Sequence, residues 1–101
     1  MEDALRAIAN ARRRAMLDLV WDQERTAGEI AHHSGLSAPA ASQHLRVLRE
    51  TGLVSVRVDG NRRLYRAAPE RVAELRGALE AFWGERLARL RDDLEDRGAT
   101  R

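Results

Sequence analysis

The chain contains no cysteine, no lysine and no long apolar run. Without cysteine there can be no disulfide, no thiolate metal site, no thiol redox sensor and no sulfur nucleophile. Without a run of about 20 apolar residues no helix is expected to cross a bilayer. The opening MEDALRAIANARRR lacks the apolar centre of a signal peptide. The expectation is a soluble, cytoplasmic protein with no membrane partner. There is no internal repeat, no low-complexity segment and no glycine-rich phosphate loop. With 101 residues, 44% of them hydrophobic, the chain has room for one domain, 1–101, and one modest core.

All 18 basic residues are arginine, yet the net charge is only +2. Two readings account for the lack of lysine, a compositional bias, which is the weightier, and selection for the fork with which arginine binds phosphate. The placement of the charge is more telling. Between Ser37 and Arg66 stand Arg46, Arg49, Arg57, Arg62, Arg63 and Arg66, against only Glu50 and Asp59. From Glu70 to Arg97 acids outnumber arginines. Positive charge is thus focused on the middle of the chain, as an electrostatic footprint for nucleic acid would be.

Local signals predict the order ααααββα, mainly helical with a small hairpin. Asp3–Ala9 carries Leu5 and Ile8 at helical spacing. Asn10 is placed to cap a second helix, Ala11–Trp21, with Met16, Leu17, Val20 and Trp21 on its apolar side. Asp22–Arg25 reads as a loop. Thr26 and Glu29 have capping-box spacing before a short third helix that ends at Gly35. Ser37 caps a fourth helix with Pro39 in its first turn. There Ala41, His44, Leu45 and Leu48 form the buried face, and Ala40, Gln43, Val47 and Glu50 the opposite one. Gly52 ends it. Leu53–Val58 and Arg62–Ala67 read as strands joined at Asp59-Gly60, residues that tolerate the positive φ of a tight turn. Pro69 opens a last helix reaching about Arg97.

The stretch Gly35–Arg66 therefore reads as a helix end, a tight turn, a second helix and a cationic ribbon, a winged helix-turn-helix suited to duplex DNA. Ser37, Ala38, Ala40, Ser42 and Gln43 are the candidates to meet bases or their surroundings. Glutamine can pair with adenine, and alanines permit close approach or contact with thymine methyls. Arg57, Arg62 and Arg63 on the ribbon are candidate phosphate or minor-groove contacts. They would equally keep a sheet edge charged. Arg46 and Arg13 could contact phosphate or pair with a nearby acid. On the last helix, Leu79, Trp83, Leu87 and Leu90 continue an apolar stripe past what one small body can cover. With Leu5 and Ile8 they predict an interface with a second copy of the chain.

At this point the sequence resembles the ArsR-type (arsenic-repressor-like) winged-helix transcriptional regulators, over roughly Leu5 to Arg91. IANARRRAMLDLV is similar to the family's opening, GEIAHHSGLSAPAASQHLRVLRETGLV to its recognition segment and VRVDGNRRLYR to its wing. The resemblance implies a homodimeric, autoregulatory repressor that dimerises through its first and last helices and binds an inverted-repeat operator. It also implies an inducer, often a metal. Metal-sensing members often carry paired cysteines near the start of the third helix, where this chain has Arg25, Thr26 and Gly28. Others place Asp and His ligands on the last helix, and here no histidine follows His44. The resemblance is therefore to members that do not sense metals, with no metal site and no cofactor expected and the inducer unknown.

The remaining residues support no enzyme. His32 and His33 are adjacent and diverge by about a hundred degrees on a helix, so they do not share a metal readily. His44 falls on an apolar helix face, as a hydrogen-bonded core histidine would. Ser42 and His44 stand two apart and face away from one another, so they make no dyad. The acid pairs near Asp92 and Glu95 read as a solvated helix end. The competing readings are a winged-helix module for protein–protein contact and a nonspecific DNA-architectural protein.

Overall fold

The computed structural model describes residues 2–99; residues 1, 100 and 101 of the expected domain lie outside the described residues. The elements are α1 (Glu2–Ala9), α2 (Ala11–Leu19), β1 (Arg25–Thr26), α3 (Ala27–Ser34), α4 (Ala38–Glu50), β2 (Val54–Asp59), β3 (Arg62–Ala67) and α5 (Pro69–Ala99). The expected order stands, with one addition. The segment read as a loop ends in a short strand, β1, which pairs antiparallel with β3. The sheet has three strands in the order β1-β3-β2.

Capping explains where the helices begin. The Asn10 side chain accepts hydrogen bonds from the Arg12 and Arg13 amides at 2.9 and 3.2 Å and starts α2. The Thr26 hydroxyl accepts from the Glu29 amide at 3.2 Å, while the Glu29 carboxylate accepts from the Thr26 amide at 3.2 Å and from its hydroxyl at 3.0 Å. This capping box satisfies donors that α3 would otherwise leave unpaired. α3 stops at Gly35, which takes φ +66°, and the Leu36 amide reaches back to the Ala31 carbonyl at 3.1 Å. A side chain at that positive φ would be strained.

Several boundaries differ from the sequence-based expectation: α1 begins at Glu2, β2 runs Val54–Asp59 and α5 reaches Ala99, and two further differences change the reading. α2 ends at Leu19, because the Val20 and Trp21 amides bond three residues back and tighten the last turn. Trp21 consequently leaves the helix and is exposed rather than part of its apolar side. In the hairpin, Asp59 pairs with Arg62, so the loop residues are Gly60 and Asn61 rather than Asp59 and Gly60. Only Gly60 takes a positive φ, +61°.

The core joins α1 to α4, the start of β2, the end of β3 and one turn of α5. Its members include Ala4, Ala7, Met16, Val20, Ile30, Leu45, Leu48, Leu53, Val54, Ala67 and Leu75. On α1 the deeply buried residues are Ala4 and Ala7, whose small size permits close helix packing. Leu5 and Ile8 are only half-buried. Val47, expected on the outer side of α4, packs against the core. The carbonyls at the end of α1 are taken up by arginines of α2: Arg13 donates to Ala7 at 2.7 Å and Arg6 at 3.1 Å, and Arg14 to Ile8 at 2.7 Å. Arg13, considered for phosphate or an acid, is thereby committed to the fold.

α5 leaves this body almost at once. Arg71 anchors its first turn by donating to the Thr51 carbonyl at 3.1 Å. Leu75 is its one fully buried side chain among those described. The whole 31-residue helix is a rod of about 46 Å, and it gives the molecule its longest extent of 66 Å against 25 and 22 Å.

Candidate nucleic-acid interface

Ser37 caps α4, its hydroxyl accepting from the Ala40 amide at 3.3 Å. That bond fixes the helix entry while Ser37, Ala38 and Pro39 stay exposed. One turn on, Ser42, Gln43 and Arg46 are exposed beside Pro39 and line a shallow depression with it. Ala40 is half-buried at the margin. The outward face is thus small near its start and amide-bearing and cationic further along.

The ribbon's alternation decides what else meets this face. Successive strand residues point to opposite sides, and directly paired residues share a side. Val56 pairs with Tyr65 and Val58 with Arg63, so these four face one way. Arg57 pairs with Leu64 and Asp59 with Arg62, and these face the other. The first side looks toward α4. There Arg63 and Tyr65 join Ser42, Leu45, Arg46, Arg49 and Glu50 around an open groove of about 480 Å³. Arg49, Val56, Val58 and Arg63 line a second, adjoining groove.

The three candidate wing arginines therefore do not act together. Among the described residues, no carboxylate lies within ion-pair distance of Arg63, or of Arg46 and Arg49. Arg57 is held on the other side by both oxygens of Glu24, at 2.9 and 3.2 Å. This hydrogen-bonded pair pushes the guanidinium's pKa further up. Arg62, on the same side, lies 3.9 Å from Glu29. The Glu29 carboxyl is held below its ordinary pKa, first by the Thr26 amide and hydroxyl and then by Arg62 and Arg25. Sequence reasoning left Arg49 and Tyr65 out of the site. Arg49 was findable, since it lies seven residues after Ser42 and three after Arg46 on one helical stripe. Tyr65 and Glu24 depend on strand register and a contact 33 residues away, which the sequence does not display.

The histidines are dispersed. His44 is half-buried, with Nδ1 3.5 Å from Arg13 Nη1. Burial, then Arg13 and Arg12, lowers its pKa. His33 Nε2 is 3.1 Å from Arg25 Nη1, and the His32 ring lies edge-on to that of His33. Among the described residues no three His, Asp or Glu side chains gather in a way that could hold a metal ion.

At the far end, α5 presents Phe82, Trp83, Leu87, Leu90 and Leu94, each between 49% and 58% exposed. Of the residues expected at an interface between copies, Leu79 is half-buried and Leu5 and Ile8 are partly open.

Comparison with known proteins places this arrangement. The sequence pattern of bacterial regulatory proteins of the arsR family matches residues 10–56. Over 80 residues the chain is 40% identical to the HTH-type transcriptional regulator Rv2034 of Mycobacterium tuberculosis, a match spanning 79% of this chain and 75% of that one. A crystal structure described as that of a possible transcriptional regulator for arsenical resistance is 43% identical, with TM-score 0.76, covering 90% of this chain and 95% of the other. The solution structure of the homodimeric winged helix-turn-helix DNA-binding domain of Mb0332 from Mycobacterium bovis is 37% identical, with TM-score 0.67, covering 83% of this chain and 78% of that one.

Proposed function

We propose that this chain, which belongs to the arsR family of bacterial regulatory proteins, is a homodimeric, sequence-specific DNA-binding repressor acting on an inverted repeat. The observation that carries this reading is the groove between α4 and the wing. It is lined by Arg46, Arg49 and Arg63, none of them paired with an acid among the described residues. Cations left without internal partners beside an exposed helix suit a phosphate backbone, whose neutralisation releases counterions. Ser42 and Gln43 on the adjoining helix face are the groups that would read base edges. Ala38 and Ala40 would let the backbone approach closely.

The half-exposed apolar stripe of α5 supports the dimer. A second copy covering Trp83, Leu87 and Leu90, with Leu5, Ile8 and Leu79 alongside, would remove it from water. A two-fold dimer then sets two recognition helices into successive major grooves about one turn apart, so the operator is palindromic. Autoregulation fits such a repressor, and so does action in the cytoplasm, where the DNA is. No helix among the described residues is long and apolar enough to cross a membrane. The relatives are described as transcriptional regulators, and on that likeness the chain is read as a non-enzyme.

The test is fluorescence anisotropy with a duplex selected from a random pool and with a scrambled duplex, each at about 50 and 200 mM salt. The selected duplex should bind at least about a thousandfold tighter, and both affinities should fall steeply with salt. Equal affinity for the two duplexes would favour the nonspecific architectural reading. No binding to either would favour the protein-contact reading.

A further inference from the structure

The wing carries four arginines, and the chain's own acids pair with two of them, Arg57 and Arg62. On the side facing α4, Arg63 has no carboxylate near it among the described residues. On the other side lie Arg57, Arg62 and Arg66. Arg57 and Arg62 lie near acids contributed by the body of the protein, and Arg66 has no carboxylate within ion-pair distance among the described residues. Glu24 comes from the segment just before β1, and Glu29 from α3. The Arg57 pair is the closer and better oriented. Both nitrogens that donate, Nε and Nη2, meet separate oxygens of one carboxylate, the geometry in which a guanidinium binds a carboxylate most specifically. That same fork is the one a phosphate would take.

Arg57 is nevertheless not buried. Its side chain remains 58% exposed, and β2 is an outer strand of the sheet. Its neighbours Val56 and Val58 line the second groove beside Arg49 and Arg63. No further strand lies beyond β2, so the end of this long, exposed side chain has open space at the sheet edge once its partner is removed. Strand alternation sets the side from which it projects, and Glu24, the less exposed partner at 30%, holds its guanidinium there.

Building on the DNA-binding reading above, we infer that Glu24 is a positioning residue. It withholds Arg57 from the DNA backbone and so sets the number of phosphates the wing engages. The wing then meets DNA through Arg63, while Arg57 fastens the ribbon to the segment before β1. The consequence is a lower nonspecific affinity than the arginine content implies, because nonspecific binding is almost wholly a matter of phosphates neutralised.

The experiment measures the affinity of the full-length protein for a random duplex as a function of salt, for wild type, Arg57→Ala, Glu24→Gln and the double variant. Arg57→Ala should leave slope and affinity unchanged. Glu24→Gln should steepen the slope of log affinity against log salt by about 0.9 per protomer engaged and tighten binding severalfold at about 0.1 M salt. The double variant should return to the wild-type slope. A shallower slope for Arg57→Ala would show Arg57 already on phosphate and overturn the inference. So would an unchanged slope for Glu24→Gln. A double variant that keeps the gain would assign it to the lost negative charge alone and overturn the inference as well. If wild type binds neither random nor selected duplex, the DNA-binding reading itself fails and this inference with it. Failure of the variants against a binding wild type removes only the inference.

Discussion

In the body of the protein Met16, Ile30, Leu45, Leu48 and Leu53 are almost wholly shielded from solvent, whereas on α5 Phe82, Trp83, Leu87, Leu90 and Leu94 stand about half exposed. The arginines show the reverse. Along α5, Arg71 pairs with Glu74, Arg76 with Glu80 and Arg89 with Glu85, at 2.6 to 2.9 Å. In the groove between α4 and the wing, Arg46, Arg49 and Arg63 have no such partner among the described residues. One end has settled its charges and left apolar surface over. The other has buried most of its large apolar side chains, Trp21 and Val58 excepted, and left charge over. The difference teaches that the two ends require different partners. A surface like itself suits α5, and a polyanion suits the groove.

The largest expected effect comes from attacking the apolar end. Leu87→Glu with Leu90→Glu should abolish self-association. At about 1 kcal/mol per half-exposed leucine, four leucines across two protomers contribute about 4 kcal/mol, roughly a thousandfold in the dimer constant. Sedimentation velocity reads this, and circular dichroism should show the body still folded. A dimer surviving both changes would break the comparison at that end.

At the charged end the largest effect belongs to Gln43. Gln43→Ala should weaken binding to a selected duplex by about 1–3 kcal/mol and relax preference at one position per half-site. Binding to a scrambled duplex should hardly move. Anisotropy with single-base variants of the site checks this.

A smaller effect sharpens the comparison within the wing. Arg63→Ala should reduce the salt slope by about 0.9 per protomer for every sequence. Arg62→Ala, on the opposite side and near Glu29, should change it less. Equal losses would mean that the two sides of the ribbon meet DNA alike.

The smallest effect is on stability. The folded protein holds a proton on His44 less tightly than the unfolded chain does, because of burial and of Arg13 and Arg12. Stability is therefore complete above the ordinary histidine range and declines as pH falls through about 6.5 toward the lowered folded value. His44→Gln should flatten that part of the urea-denaturation profile between about pH 7 and 5. The Glu29 carboxyl, whose pKa is also lowered, contributes above the ordinary carboxylate range and loses that contribution as pH falls through it toward the lowered folded value.

Much of this architecture was legible in the residues. Asn10, the Thr26–Glu29 pair, Gly35 and Ser37 announced helix ends because capping is local chemistry, complete within a few residues. The periodicity of α5 announced both the helix and its uncovered stripe. What stayed hidden depends on contacts far apart in the chain. The strand Arg25–Thr26 is too short to show alternation and exists because β3 lies beside it. Trp21 fell outside α2 because its last turn tightened. Arg62 and Arg63, adjacent on one expected strand, had to face opposite sides. Which of them shares a side with Arg57 depends on the register that pairs Arg57 with Leu64, and Val58 with Arg63. The hold of Glu24 on Arg57 follows from the same division.

The most direct test of the contrast between the two ends is sedimentation velocity of one mixture, protein with a selected duplex, over a salt series. At about 0.05 M salt a single complex is expected. At about 0.5 M the complex should part into free duplex and a protein still sedimenting as twice 11.4 kDa, since salt screens the arginine groove and leaves an apolar interface intact. A protein that falls to monomers as the DNA is released, or a complex indifferent to salt, would contradict that division of labour between the two ends.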